Sequence, residues 1–366
     1  MTCSENEKDA PSVFERTPLQ TVHIGSPRRV PGSREVTSAS MTLRAVLLLL
    51  CVSAAAAPAA GQTAAGQVVR PNAVLHSVAD LDRSVAFYRD AVGLTLDPSP
   101  GVPGSTKAAA PRIATLSIPG ADIHLTLIQF SGSDARPIRQ RLQDPGGVKL
   151  VVRFRDLDAA FERVRGRLQR VYTDGGAPIR PEGPAAVNRS VIVRDPDGFP
   201  LEMVVQGTPP IPEAVPAASN VVGAWATFIV DDIRTSIEFY RTVMGFPPFS
   251  TPTAVSPTVL NLQGLPTATG TMSAGAKPPG AALLTWRMYD FRNVDKARLT
   301  GRLRDPGSTA VSFVVDNVAA FLARAKAAGA VIDAEPPAFN DGLTHGFIRD
   351  PNGLLIELVE AGATGG

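Results

Sequence analysis

The sequence is short of cysteine, of histidine and of any excess of charge, and each shortage removes a class of chemistry. Of 366 residues, two are cysteine and four are histidine. Both cysteines, Cys3 and Cys51, stand in a stretch read below as removable, so the remaining chain has no thiol. That excludes disulfides, thiol nucleophiles and thiolate metal ligands. A formal net charge of +2, with no Lys/Arg block interleaved with aromatics, leaves no electrostatic footprint for nucleic acid. A Gly-rich phosphate loop, a Ser–His–Asp order and a nucleophile elbow are also missing, so neither a nucleotide enzyme nor a serine hydrolase is indicated. What is present, 44% apolar and 19% charged residues, is a globular composition long enough for two domains with cores of their own.

Residues 1–40 carry charge, Pro and Ser without apolar period and read as a disordered or untranslated leader. From Met41 the text becomes MTLRAVLLLLCVSAAAAPAAGQ: one Arg, an apolar run, then small residues, the order of a secretory signal. Residues 41–60 are therefore expected to be cleaved near Ala59 or Ala60, placing the protein in the periplasm or outside the cell. The apolar run from Ala45 to Ala60 is short of the roughly 20 residues of a spanning helix, so no stable membrane span is expected after processing. Leu50 stands before Cys51 where a lipobox wants a small residue, which argues against a lipoprotein.

The rest is written twice. DLDRSVAFYRDAVGL from Asp80 aligns without a gap with DIRTSIEFYRTVMGF from Asp232, and RDPDGFPLEMV from Arg194 with RDPNGLLIELV from Arg349. Asp80 stands where a helix N-cap should. Val85, Tyr88 and Val92 share one helical face that Gly93 closes, as do Ile237, Tyr240 and Met244 before Gly245. Weaker echoes at Asp156 and Asp316 again give a strand, an Asp and an amphipathic helix, and Gly198 and Gly353 supply the positive φ of DP-x-G turns. RLQDPGG at Arg141 and RLRDPGS at Arg302 fix the alignment of the halves. Four strand–helix–strands units thus form two domains, 70–207 and 222–362, joined by the Pro-rich linker 208–221.

The motif pair D-x-x-x-S-x-x-FY-x-x-x-x-G and DP-[DN]-G-x-x-[IL]-E-[LM] resembles the vicinal oxygen chelate superfamily, the glyoxalase, bleomycin-resistance and extradiol-dioxygenase group. The resemblance covers residues 73–360 and implies an α+β fold of two domains, each a pair of βαβββ units curling into an open, barrel-like cavity. It also implies one divalent ion (Zn, Fe, Mn or Ni) in metal-dependent members, held by first-strand histidines, a residue at the end of the sheet and the Glu of the final I-E-L. Here the first-strand His becomes Ala73 or Trp225, and the second-unit His becomes Lys149 or Ala310. Glu202 and Glu357 are kept, and the remaining position is His124 or Thr285.

His76 falls on the strand face opposite Ala73 and reads as a packed side chain. His124 shares a face with Thr126 and Ile128 that can line a cavity. By resemblance to fosfomycin-resistance members, His345 and Phe347 point at substrate, with Ser190 and Ile192 as counterparts. Glu202 in LEMVV and Glu357 in IELVE are carboxylates in apolar strands, which need a partner. For Glu202, Lys149 occupies a ligand position, and a Lys–Glu pair would replace the metal. Glu357 depends on how units pair. Within one domain it meets Trp225, Thr285, Ala310 and His345; across domains, Glu357 and His345 meet Ala73 and His124.

Two functions follow: an exported protein that binds a small, partly apolar molecule with its metal site largely degenerate, or a metal-dependent glyoxalase-like lyase or dioxygenase. In the second, His124, His345 and Glu357 hold the metal, with Glu357 and His345 catalytic. The substrate pocket is expected from Trp225, Thr285, Phe347, Ser190, Glu202 and Lys149, in a monomer (pseudo-dimer) or a homodimer with no nucleic-acid partner. Protein recovered from periplasm or medium should have an intact mass beginning near residue 60; a mass that retains Cys51 would mean an anchor or a lipoprotein instead.

Overall fold

The computed structural model describes residues 66–98, 111–132, 134–180, 188–207, 209–333, 339 and 341–361. The leader, the signal-like stretch and both cysteines lie outside the described residues. The first unit supplies β1 (Val68–Ser77), α1 (Leu81–Ala86), β2 (Thr95–Leu96), β3 (Arg112–Ser117) and β4 (His124–Gln129). In the second, β5 (Val148–Phe154) leads to α2 (Leu157–Arg165), β6 (Arg170–Val171), β7 (Arg189–Arg194) and β8 (Pro200–Val205). The third contains β9 (Val221–Val230), α3 (Ile233–Thr242), β10 (Thr253–Ala254), an extra helix α4 (Pro257–Leu262), β11 (Thr269–Ala276) and β12 (Trp286–Arg292). The fourth closes with β13 (Thr309–Val315), α5 (Val318–Ala327), β14 (Val331–Ile332), β15 (His345–Arg349) and β16 (Leu355–Glu360).

Each unit's first long helix starts on a carboxylate or amide that satisfies a free backbone donor. Asp80, Asp156 and Asp232 accept from the N–H three residues on, at 3.1, 3.0 and 2.7 Å. In the fourth unit the cap is Asn317, not Asp316; Asp316 instead accepts from the backbone N–H of Gly66 and Gln67, both at 2.7 Å. After α1 the chain widens into π-helical turns over Phe87–Val92, and Gly93 ends them at φ 99, a conformation costly for a residue with a Cβ.

The two sheets do not follow the two sequence halves. The first runs β14-β15-β16-β13-β1-β4-β3-β2, joining the first unit to the fourth; the second runs β10-β11-β12-β9-β5-β8-β7-β6, joining the third to the second. Of the two pairings open from sequence, the crossed one is adopted, so a barrel-forming pair is not one sequence domain. The seams are antiparallel, Ala73 opposite Ser312 and Val151 opposite Trp225. The connectors carrying RLQDPGG and RLRDPGS run against each other, with Leu299 N–H on Pro145 O at 2.9 Å and Ile138 N–H on Pro306 O at 2.7 Å. Each Arg brackets its own Asp and an acid of the other half: Arg141 reaches Asp144 and Asp295, Arg302 reaches Asp305 and Asp134. These contacts hold the crossing chains in place.

The DP-x-G turns carry more than a bend. Asp195 is fully buried; its Oδ1 accepts from the N–H of Asp197 and Phe199, and its Oδ2 from the Tyr88 hydroxyl at 2.8 Å. Asp350 repeats this with Asn352, Leu354 and Tyr240. The repeated Tyr of FYR is therefore a buried tie between helix and turn. The copies differ in the remaining contact. His76 Nε2 lies 3.2 Å from Asp195 Oδ2, off the line of an aligned hydrogen bond, whereas Asp350 accepts from the neutral Asn352 amide at 2.9 Å. Burial pushes Asp195 up, but the charge of His76 and the surrounding donors outweigh it and hold the carboxyl below its usual range. At Asp350 burial prevails over the hydrogen bonds, and the carboxyl is raised.

Asp195 thus contributes stability at neutral pH that is lost as pH falls through its depressed value. Asp350 contributes at low pH and loses its contribution as pH rises through its elevated value. In urea denaturation at pH 7, Asp195→Asn should cost about 3–5 kcal/mol, the scale of a broken buried pair, and Asp350→Asn less. The gap should narrow toward pH 4; equal costs at both pH values would show that His76 gives Asp195 no charge compensation.

Candidate functional site

On the first sheet, cross-strand register places Phe347, Glu357, Ser312, Ala73, His124 and Ser117 in one row running from β15 to β3. Residues in one row point to one face, so Glu357 and His124 look the same way, with Ala73 and Ser312 between. Two residues along, Leu75, Ala310 and Leu355 extend that face into an apolar cluster with Ile128, Leu303 and Phe347. At the β3–β4 end Ile113, Thr115, Ser117 and Thr126 are half-buried, so the face opens there. The residue opposite Ala73 across the seam is Ser312, with Ala310 one step along the same face opposite Leu75, and β1 bulges just before, between Pro71 and Ala73.

Glu357 is 3% exposed and accepts a hydrogen bond from His345: Nδ1 and Oε1 are 3.0 Å apart. His345 Nε2 lies 3.0 Å from Asp341 Oδ1, and the Asp341 side chain is 34% exposed. The imidazole therefore bridges a buried carboxylate and one at the surface. Burial pushes its pKa down, but the hydrogen bonds to Glu357 and Asp341 outweigh that and hold it above the usual histidine range. His124, with 43% of its side chain exposed, has Nδ1 3.3 Å from Asp97 Oδ2, and Oδ1 of the same carboxylate accepts from the Ser117 hydroxyl. Asp341 and Asp97 were missed in the sequence because both stand outside the strands whose alternation guided the search; Asp341 could have been suspected from its place four residues before His345.

The second sheet carries the expected Lys149–Glu202 pair, with Nζ 2.5 Å from Oε2. Ser190 donates to Glu202 at 2.8 Å, in the place His345 takes toward Glu357, and Lys149 also donates to Gln263 at 3.3 Å. Burial raises Glu202, but the charge and hydrogen bond of Lys149 outweigh it and hold the carboxyl below its ordinary value. Next to them α4 fills the face: Leu260 packs with Ile229, Tyr289 and Phe291, and Leu262 with Ile192 and Leu142. Trp225 and Thr285 lie further along and line a separate recess with Arg153 and Arg287.

These sheets match the Glyoxalase/Bleomycin resistance protein/Dioxygenase superfamily at residues 70–203 and 224–358. The chain belongs to that superfamily. A relative, 2-epi-5-epi-valiolone epimerase from Actinomyces sp, is 30% identical over 141 residues, covering 36% of this chain and 76% of the relative. Glyoxalase I from Zea mays superposes with a TM-score of 0.51 at 18% identity, over 80% of this chain and 92% of its own. A variant of that enzyme gives 0.53 at 17% identity over the same shares. At these identities the structural likeness speaks for the fold alone.

Among the described residues, the one group of three or more His or carboxylate side chains whose donor atoms lie within 4.8 Å of one another is His76, Asp195 and Asp197. By donor type this buried group could bind a metal, as vicinal oxygen chelate enzymes do. It lies on the face of β1 opposite Ala73, and its oxygens already serve Tyr88, Ser84, Arg83 and backbone N–H groups. The crossed pairing brings His124, His345 and Glu357 onto one face but not into one such ligand shell: both His345 nitrogens are taken by carboxylates, and His124 Nδ1 faces Asp97. On the second sheet Lys149 Nζ sits where an ion would stand. Neither sheet, as arranged, fits the metal of the metal-dependent members.

Lys149→Met alone leaves Glu202 buried without its cation and should cost about 3–5 kcal/mol in chemical denaturation, whereas joint replacement by Met and Leu should be far better tolerated. A neutral Lys149→Met would mean that solvent, not Lys149, carries the carboxylate.

Proposed function

We propose that the open face of the first sheet binds a small, partly apolar molecule with a carbonyl or hydroxyl function, and that Glu357 moves a proton on it. The observation that carries this is the chain from exposed Asp341 through His345 to buried Glu357, ending against the apolar Phe347, Ala310 and Leu355 surface. A carboxylate beside an apolar surface is a competent base once a substrate excludes water. Glu357 takes the proton from a carbon next to a carbonyl and holds it as the carboxylic acid, while the His345 Nδ1–H on its Oε1, held from Nε2 by Asp341, keeps the carboxyl in place. Giving the proton back on either face of that carbon is epimerisation or isomerisation, the reaction class in the relative's name. Ala73 and Ser312, two small side chains of the row, stand between Glu357 and His124. No metal is needed for these steps. The second reading, a protein that holds its ligand without reacting, is favoured by the same small residues at ligand positions. Export through the segment beginning at Met41 is part of the proposal.

The test is solvent deuterium uptake, followed by proton NMR, into a panel of 2-hydroxyketones and polyhydroxylated cyclohexanones. The full chain should catalyse exchange in the presence of a chelator, and Glu357→Gln should slow it about 10²–10⁴-fold. The His345 ring should titrate above the ordinary histidine value and move down in Glu357→Gln. Its charge, and the stability it brings, is present at low pH and lost as pH rises through that elevated value. Binding of the panel without exchange would leave the sequestering reading, and exchange abolished by chelator would return the metal-dependent one.

A further inference from the structure

The recess on the second sheet has a chemistry of its own. It is a cavity of about 260 Å³ between β9, the start of β12 and the Pro-rich linker, whose walls include Trp225, Thr285, Arg287, Arg153, Pro209 and Pro212. No acidic side chain lines it among the described residues. Arg153, almost fully buried, spends Nε and Nη2 on the Gln206 carbonyl at 3.0 and 2.7 Å, which fixes the plane of its guanidinium. The Arg287 guanidinium lies 5.8 Å from the Trp225 ring centroid. Arg287 Nε and Trp225 Nε1 are both buried without a hydrogen-bond partner. A buried donor left unpaired is costly, and both residues line this recess. The nearby carboxylate, Glu202, is already committed to Lys149 and Ser190. The cavity thus offers donors and positive charge with no carboxylate of its own.

We infer that this recess is a second small-molecule site, which takes a planar carboxylate on a ring-sized apolar body. Planar guanidinium forks match a carboxylate edge, and the Trp225 and proline surfaces match a flat apolar ring. The volume allows it, since an apolar cavity of about 150 Å³ accepts benzene. The site is independent of the proton chain on the first sheet: the residues lining it come from neither β15 nor β16.

The probe is benzoate, with benzamide as its neutral isostere and inorganic phosphate as an anion without a ring, titrated into the full chain. The indole N–H signal of Trp225, assigned by its loss in Trp225→Phe, should shift saturably with benzoate. Benzamide and phosphate should each bind at least tenfold more weakly. Arg287→Met should weaken benzoate at least tenfold, while Glu357→Gln should leave it unchanged. Equal binding of benzoate and benzamide, or a benzoate response confined to the other indole, Trp286, would overturn the inference. So would tighter binding of phosphate. The indole readout uses the unaltered chain and decides the matter even where Arg287→Met does not fold. Failure of deuterium exchange on the first sheet leaves this result untouched.

Discussion

A carboxylate inside a protein must have a partner, and the repeated turns and last strands of this chain each place one there in both copies. Each is answered differently: Asp195 by a histidine, Asp350 by an amide, Glu202 by a lysine and Glu357 by a histidine held from its far side by Asp341. The backbone around these pairs is nearly the same in both copies. The difference between the copies is the choice of partner, and that choice decides which groups are fixed in charge and which can exchange protons with solvent.

The same choice separates the two faces. A lysine beside Glu202 and a helix, α4, against Ile229 and Ile192 turn one end of the second sheet into core. On the first sheet the corresponding row keeps Ala73 and Ser312 in its middle, and its far strands stay half-open. Neither residue carries a charge, so the row there presents an apolar wall, the Ser312 hydroxyl and one hydrogen-bonded Glu.

Much of this was legible in the sequence because it is local or periodic. The FYR helices, their Asp caps, the DP-x-G turns and the two glutamates follow from spacing and from the cost of burying charge. The Lys149–Glu202 pair was legible for the same reason. The crossed pairing of units was not, since both pairings bury the same strand faces and only the contacts between the Arg141 and Arg302 connectors favour one. The bulge before Ala73, which puts Ser312 rather than Val311 opposite it, is a backbone irregularity with no mark in the alternation. Asp316 looked like a cap by its position, but Asn317 does that work while Asp316 binds backbone ahead of β1. Partners supplied by non-repetitive chain, Asp97 and Asp341, had no pattern to reveal them.

The position of the compensating group explains why only one face is suited to proton transfer. Lys149 reaches Glu202 from the strand beside it and is itself 1% exposed, so a buried ammonium holds the carboxylate ionised although 15% of the Glu202 side chain meets solvent. His345 comes from the hairpin partner of the Glu357 strand, one step from the surface, and has a second nitrogen for Asp341. The imidazole can release a proton from Nε2 to the exposed Asp341 while its Nδ1–H stays on Glu357, whereas a lysine that releases one leaves its carboxylate uncompensated. Ser190, in the His345 position of the other copy, can donate to Glu202 but cannot hold a charge. The exchange of one hydroxyl for one imidazole at equivalent places in two copies therefore separates a structural carboxylate from one that can act as a base.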